Sequence, residues 1–433
     1  MKSPDNPVSF LHRTRGEPLA ELTRWRAGQP SAGLLLVEFE FRCWWLSDAN
    51  PLPLTAVYFL KSPGQIVCAV TDCALVASAT SAQAQIEEWA AKHALALFEP
   101  GRPLRLEPVF IPKPWGQEIW YTGVEARGVC CFSDGVNVAP IPWVQAVMPA
   151  PGAGEQGAPL VLLKILDPLP EEVTGDLYFE LHTQKREVYV VTHVDETAWP
   201  GGAGAIRFGF DPAQVANAGS RDAFCEAYLG AVREYEEVRR EIDALPESSP
   251  PSAELRSREA ALRQRMNAFT HLRELRVGDV VVVPLCMPHS LQHGVRTIEF
   301  QTPVYERKIL SFAQKVLTQA HWDTAEAVQQ MILQPPPQVP FERLPAGAGV
   351  AAERIVDFPD FEVRRLRLEP GSAESFAHHG SYVLVMVVEG QMELTGVALQ
   401  AEQAAYLPPG YAVELRSSQP AQPLVLLLAM PRG

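Results

Sequence analysis

Between residues 159 and 194 the chain runs through short apolar stretches, PLVLLKIL, DLYFELHT and EVYVVTHV, in which polar residues recur at alternate positions and prolines and glycines close each run. Alternation with a period of two marks strands whose two faces meet different surroundings. Runs this short cannot continue as long helices. The 39 prolines reinforce the point, because each fixes φ and removes a backbone donor. From about 105 to 210 the texture is that of a β-sandwich or barrel.

Three other textures flank it. Residues 1–104 carry the apolar runs GLLLVEFEFRCWW and LTAVYFL, then Ile86, Trp89, Ala90, His93 and Leu97 at helical spacing, which predicts an α/β region of unassigned role. At residue 221 the period changes. Phe224, Tyr228, Val232, Tyr235, Val238 and Ile242 form one helical stripe, and after the breaker PESSPPS a second follows through Leu255, Leu262, Met266 and Phe269. A helical insertion over about 212–275 is expected. The β pattern then resumes until the proline-rich spacer at 334–349, and residues 350–433 are again β. Sliding GDVVVVPLCMPHSL by 124 positions lays it on EQAAYLPPGYAVEL, with His289 over Val413, which suggests a repeated fold with chemistry in one copy.

The formal charge of −14 argues against a nucleic-acid or anionic-membrane partner, since both need a basic footprint. No apolar run is long enough to span a bilayer, and MKSPDNPVSF lacks the apolar core of a leader. A soluble, cytoplasmic protein is expected. The seven cysteines form no CxxC pair and are expected to be free thiols.

One constellation carries chemistry. Glu180 and His182 are two apart on a strand and project from one face, Glu187 opens the returning strand, and His289 follows a later strand that ends at Pro284. Two histidines and two carboxylates are a donor set that Zn²⁺ or another borderline divalent ion accepts. The same alternation also describes a solvated strand face, with His289 capping a loop.

The order of these parts, E-x-H-x4-E and then G-D-x4-P-x4-H, is similar to the two-part cupin signature. More narrowly, the chain resembles the type I mannose-6-phosphate isomerases. FIPKPWGQEIW resembles their K-x-W-G-G segment with Gln117 for the second glycine, PLVLLKILD their strand before the first ligands, and KREVYVV their K-x-E-x-W-Y. VGDVVVVPLCMPHSLQHGV resembles their V-x-x-G-D-x4-P-x-G-x-x-H, and IEFQTPVYER the element that ends in Y-R. The resemblance spans about 105–333 and more loosely 350–433, and it implies two cupin (jelly-roll) barrels, the first holding the metal and the helical insertion, the second without a metal set.

The resemblance also implies a function: metal-dependent interconversion of an aldose and a ketose, with a small sugar phosphate as substrate. Glu180, His182, Glu187 and His289 fall on the metal ligands, Lys185 on the lysine before the ligand Glu, and Arg307 on the arginine of Y-R. Those two cations are the implied catalytic residues. The chain departs from the pattern at Glu180, where the family has Gln, at Thr183, where it has Pro, and in the loop after His182, which is reduced to Thr183 and Gln184. These departures keep open a second reading, a non-catalytic cupin that binds a sugar or sugar phosphate, and a third, a redox-metal cupin. Lys113 is expected at the surface and Trp115 in the core.

Overall fold

A computed structural model describes residues 10–154, 157–246, 248–315 and 320–432. It is mainly β, with 39% of residues in strands against 19% in helices, as the alternating runs require. Among the described residues no helix is long and apolar enough to cross a membrane. None of the sheets among the described residues closes on itself.

The chain divides into two compact units, one formed by residues up to Val109, Trp120–Val161 and everything from Phe341 on, the other by Phe110–Ile119 and Leu162–Pro340. This differs from the expected boundaries. Leu104–Glu107 pairs with Ala404–Leu407, so the segment after residue 104 completes the C-terminal sheet instead of opening the metal-binding domain. Glu342–Leu344, inside the expected spacer, pairs with Val350–Asp357. The first unit holds a four-stranded sheet from the N-terminal region, with buried Ile86 and Trp89 on its packed helix, and a nine-stranded sheet.

The second unit positions the candidate site. Its six-stranded sheet runs in the order Val280–Val283, Glu187–Val194, Val295–Gln301, Leu162–Pro168, Gly116–Trp120 and Val109–Lys113. Its five-stranded sheet runs Thr270–Leu275, Gly204–Phe210, His289–Leu291, Phe179–Leu181 and Lys308–Ser311. The expected insertion lies between the antiparallel pair Gly204–Phe210 and Thr270–Leu275. There the helix Arg221–Asp243 starts at Ser220, whose hydroxyl accepts from Ala223 N–H, and buries Phe224, Tyr228, Val232, Tyr235 and Val238. The helix Ala253–Asn267 buries only Met266, with Leu255 and Leu262 packed at its margin.

The internal echo holds at the level of strands: shifted by 124 residues, Val280–Val283 falls on Ala404–Leu407. Gly116 is required by a close approach, because a Cβ there would stand 2.3 Å from the carbonyl oxygen of Asp167.

Candidate metal centre

The site begins with a strand pairing. Glu180 lies directly opposite His289, and antiparallel partners share a face, so the pleat that aims Glu180 and His182 the same way also aims His289 at them. Nδ1 of His182 is 2.9 Å from the Glu306 carbonyl oxygen, and Nδ1 of His289 is 2.9 Å from that of Met287. A carbonyl only accepts, so each ring carries its proton on Nδ1 and turns Nε2 into the cluster. Ligand atoms of Glu180, His182 and His289 all lie within 4.8 Å of one another, the one such group among the described residues.

Glu187 faces this group from the start of its own strand. Its Oε2 accepts from the Tyr189 hydroxyl at 2.7 Å and lies 3.0 Å from His289 Nε2. Its Oε1 lies 2.8 Å from Lys185 Nζ and 3.3 Å from His182 Nε2. Burial works against this charge, but the Lys185 ammonium and the hydrogen bond from His289 hold the carboxyl well below its usual range. Glu187 therefore stands beside the three-residue group, already tied to a cation and a phenol.

The two histidines differ in state. Burial opposes a charge on His289, yet its contacts with Glu187 outweigh that cost and raise its pKa. With acceptors at both nitrogens, its surroundings favour the charged form of the ring. Burial dominates at His182 and lowers its pKa, so the ring is neutral and Nε2 is a bare lone pair. That atom is buried, has no hydrogen-bond partner, and looks toward Glu187 Oε1 and toward Glu180 Oε1 at 3.7 Å. Oε2 of Glu180 is also buried without a hydrogen-bond partner. An acceptor facing acceptors in a buried place is costly unless a cation stands between them. The residues present fit a divalent metal.

The cations of the sequence reading are both here. Lys185 Nζ bridges Glu187 and, at 3.5 Å, Gln301 Oε1. Arg307 lays its guanidinium over the Tyr178 ring at 4.4 Å, with Nε 4.0 Å from Glu180 Oε2. Tyr178 is braced in turn by Phe312, 4.2 Å away between ring centroids.

The structure adds residues that the sequence reading passed over. Lys164 Nζ lies 3.5 Å from Glu299 and 3.8 Å from Glu118, and Lys113 Nζ lies 2.9 Å from Glu118. Lys113 is thus a buried partner and not the surface lysine expected, because Glu118 of the adjoining strand draws it inward. Glu299 sits opposite both Lys164 and Tyr189, so this row continues from Glu187 across the same sheet. Burial, reinforced by Glu187 and Glu118 against the pull of Lys164, pushes the Glu299 carboxyl up to about 8. The signal was present: Lys164 in LLKIL and Glu299 with Gln301 in IEFQ are polar residues in otherwise buried strands.

One backbone feature yields a prediction. Cys286 stands where the similar motif has glycine, and its φ is +63°. An L side chain is strained there, so Cys286→Gly is expected to raise stability by about 0.5–1 kcal/mol, read as a higher urea midpoint.

No family model matches the sequence, and no curated protein matches it either. Solved structures do. The mannose 6-phosphate isomerase from Bacillus subtilis is similar over 76% of this chain and 99% of its own, at 14% identity and a TM-score of 0.53. A mannose 6-phosphate isomerase bound with zinc and yttrium is similar over 76% and 100%, at 11% identity and TM-score 0.53. A point mutant of phosphomannose isomerase from Salmonella typhimurium is similar over the same shares at 10% identity, again with TM-score 0.53. At such identities the likeness concerns the fold, and the chain has a phosphomannose isomerase-like fold carrying a candidate divalent-metal site.

Proposed function

We propose that this chain is a metal-dependent isomerase that interconverts an aldose and a ketose of a hexose phosphate, in the manner of mannose 6-phosphate and fructose 6-phosphate, and that it works in the cytoplasm. The observation that carries the reading is the bare Nε2 of His182, buried among carboxylate oxygens with no hydrogen-bond partner. Glu180, His182 and His289 would hold the ion, with Glu187 the fourth candidate ligand. Zinc, or another divalent metal, would supply Lewis acidity toward the sugar oxygens.

The chain's own residues account for the remaining needs of the reaction. A proton must pass between adjacent carbons while negative charge builds on their oxygens. Arg307, kept flat against Tyr178, offers a forked donor to that charge or to the phosphate. Lys185 places a second cation beside Glu187. Glu299, holding a proton up to about pH 8, is a buried acid on the same sheet that can exchange it near neutrality.

Arg307→Ala is expected to lower kcat by about 100-fold or more while leaving metal content at the wild-type level. Assays of turnover and bound metal on the same preparation check this. Equal losses in both would place Arg307 in the metal shell instead. The second reading, a sugar-binding cupin without turnover, rests on the two-residue turn Thr183–Gln184, which removes the long loop of the similar enzymes.

A further inference from the structure

That same turn is held by a residue with no role in the family resemblance. The Glu306 carboxylate accepts from Thr183 N–H at 2.8 Å, Gln184 N–H at 3.2 Å and the Thr183 hydroxyl at 3.1 Å. Its own carbonyl oxygen accepts from His182 Nδ1 at 2.9 Å. One residue therefore grips the chain at two points, the ring of a candidate ligand and the backbone that follows it. The next residue, Arg307, sends its guanidinium toward Tyr178 and Glu180.

We infer that Glu306 is the positioning residue of this centre: its carboxylate locks the shortened turn, and its carbonyl thereby fixes the tautomer and direction of His182. The inference rests on the metal-site reading for its consequence, though not for its geometry. In this chain Thr183 and Gln184 cannot shape a pocket wall of their own, and two successive backbone N–H groups would otherwise be left to solvent. Glu306 satisfies both. Partners that orient a ligating histidine typically matter 10–100-fold in metal affinity, because a ring free to rotate or to shift its proton presents the wrong atom.

Three hydrogen bonds to a carboxylate can be kept by an amide. The oxygen of a Gln side chain can accept from both backbone N–H groups while its NH₂ donates to the Thr183 hydroxyl oxygen. Geometry and charge are therefore separable by substitution. Glu306→Ala should lower Zn²⁺ affinity about 10–100-fold, and Glu306→Gln should stay within about threefold of wild type. In the metal-free protein, nitrogen NMR of His182 should show the Nδ1–H tautomer in wild type and in Glu306→Gln, and a mixture of tautomers in Glu306→Ala.

Wild-type affinity and an unchanged His182 spectrum in Glu306→Ala would overturn the inference. Equal losses in the Ala and Gln variants would overturn it too, since charge and not position would then be at work. If Glu306→Ala does not fold, Thr183→Val carries the test by cutting only the hydroxyl end of the clamp: a shifted His182 signal supports the inference and an unshifted one overturns it. The NMR arm needs no metal, so a protein that binds no Zn²⁺ at all sinks the metal reading while the tautomer result still decides the role of Glu306.

Discussion

His289→Ala is expected to lower divalent-metal affinity by at least about 100-fold while the protein still unfolds cooperatively. The ring is one of three groups whose ligand atoms lie within 4.8 Å of one another. Losing one of so few ligands removes a large part of the binding free energy, and each 1.4 kcal/mol lost is about tenfold in affinity. The metal-free fold should tolerate the change better than the site does, because Glu187 keeps its contacts with Lys185 and Tyr189. Proton release gives a second readout. His289 faces acceptors at both nitrogens, so any proton held at Nε2 has to leave before metal binds there. Because Glu187 raises the pKa of His289, this competition strengthens as pH falls, and wild-type affinity should drop on acidification. Isothermal titration in two buffers of different ionisation enthalpy measures affinity and proton release together.

Lys164→Ala should cost about 3–5 kcal/mol of stability, the largest loss anticipated for any single polar change in this unit. Burial opposes the ammonium charge, but Glu299 and Glu118 more than compensate and raise its pKa. Deleting it leaves the buried Glu299 carboxyl without its cation and Glu118 with Lys113 alone. The loss should be partly recovered by adding Glu299→Gln, which removes the group left without its cation, and a double-mutant cycle by urea unfolding reads the coupling. Glu299 also predicts a pH dependence with a definite sign. Its folded pKa, about 8, lies above the ordinary value of 4.5, so the folded chain binds the proton more tightly than the unfolded one. That contribution is fully present below pH 4.5 and is lost as pH rises through about 8. Relative to Glu299→Gln, the wild type should therefore lose stability between pH 5 and 8, by up to about 1.4 kcal/mol per pH unit.

Much of the candidate site could be read from the sequence because its geometry is local. Glu180 and His182 share a face by the period of a strand, and the four residues between His182 and Glu187 leave room only for a tight return. His289 was named from its place after a strand, but its pairing with Glu180, which joins residues more than a hundred positions apart, was not legible. The rest was hidden for the same reason on a larger scale. Lys164, Glu118 and Glu299 each look like an isolated charge in an apolar run, and only the lateral order of three strands makes them one row. Glu306 reads as a surface acid beside Arg307 until the turn after His182 folds onto it. The placement of Leu104–Glu107 was unreadable for a different reason: its partner Ala404–Leu407 lies at the far end of the chain, and no local pattern encodes such a pairing. The helical insertion was legible because its apolar stripe repeats over about five turns and starts at a serine cap.

The departure at Glu180 bears on how the centre would behave. A carboxylate in place of an amide adds negative charge to the ligand set, which favours cation binding and weakens the pull of that cation on substrate oxygens. Arg307 lies near enough to Glu180 to offset part of that charge. A tight metal site with modest turnover is the expected combination.

One assay separates an isomerase from a sugar-binding protein. Zinc-loaded protein and a chelator-treated sample are given mannose 6-phosphate, and formation of fructose 6-phosphate is followed in both. Turnover in the loaded sample, lost with the chelator and restored by added Zn²⁺, is the predicted result. A loaded sample with stoichiometric zinc and no turnover in either direction would contradict the isomerase and leave a sugar-binding protein in its place.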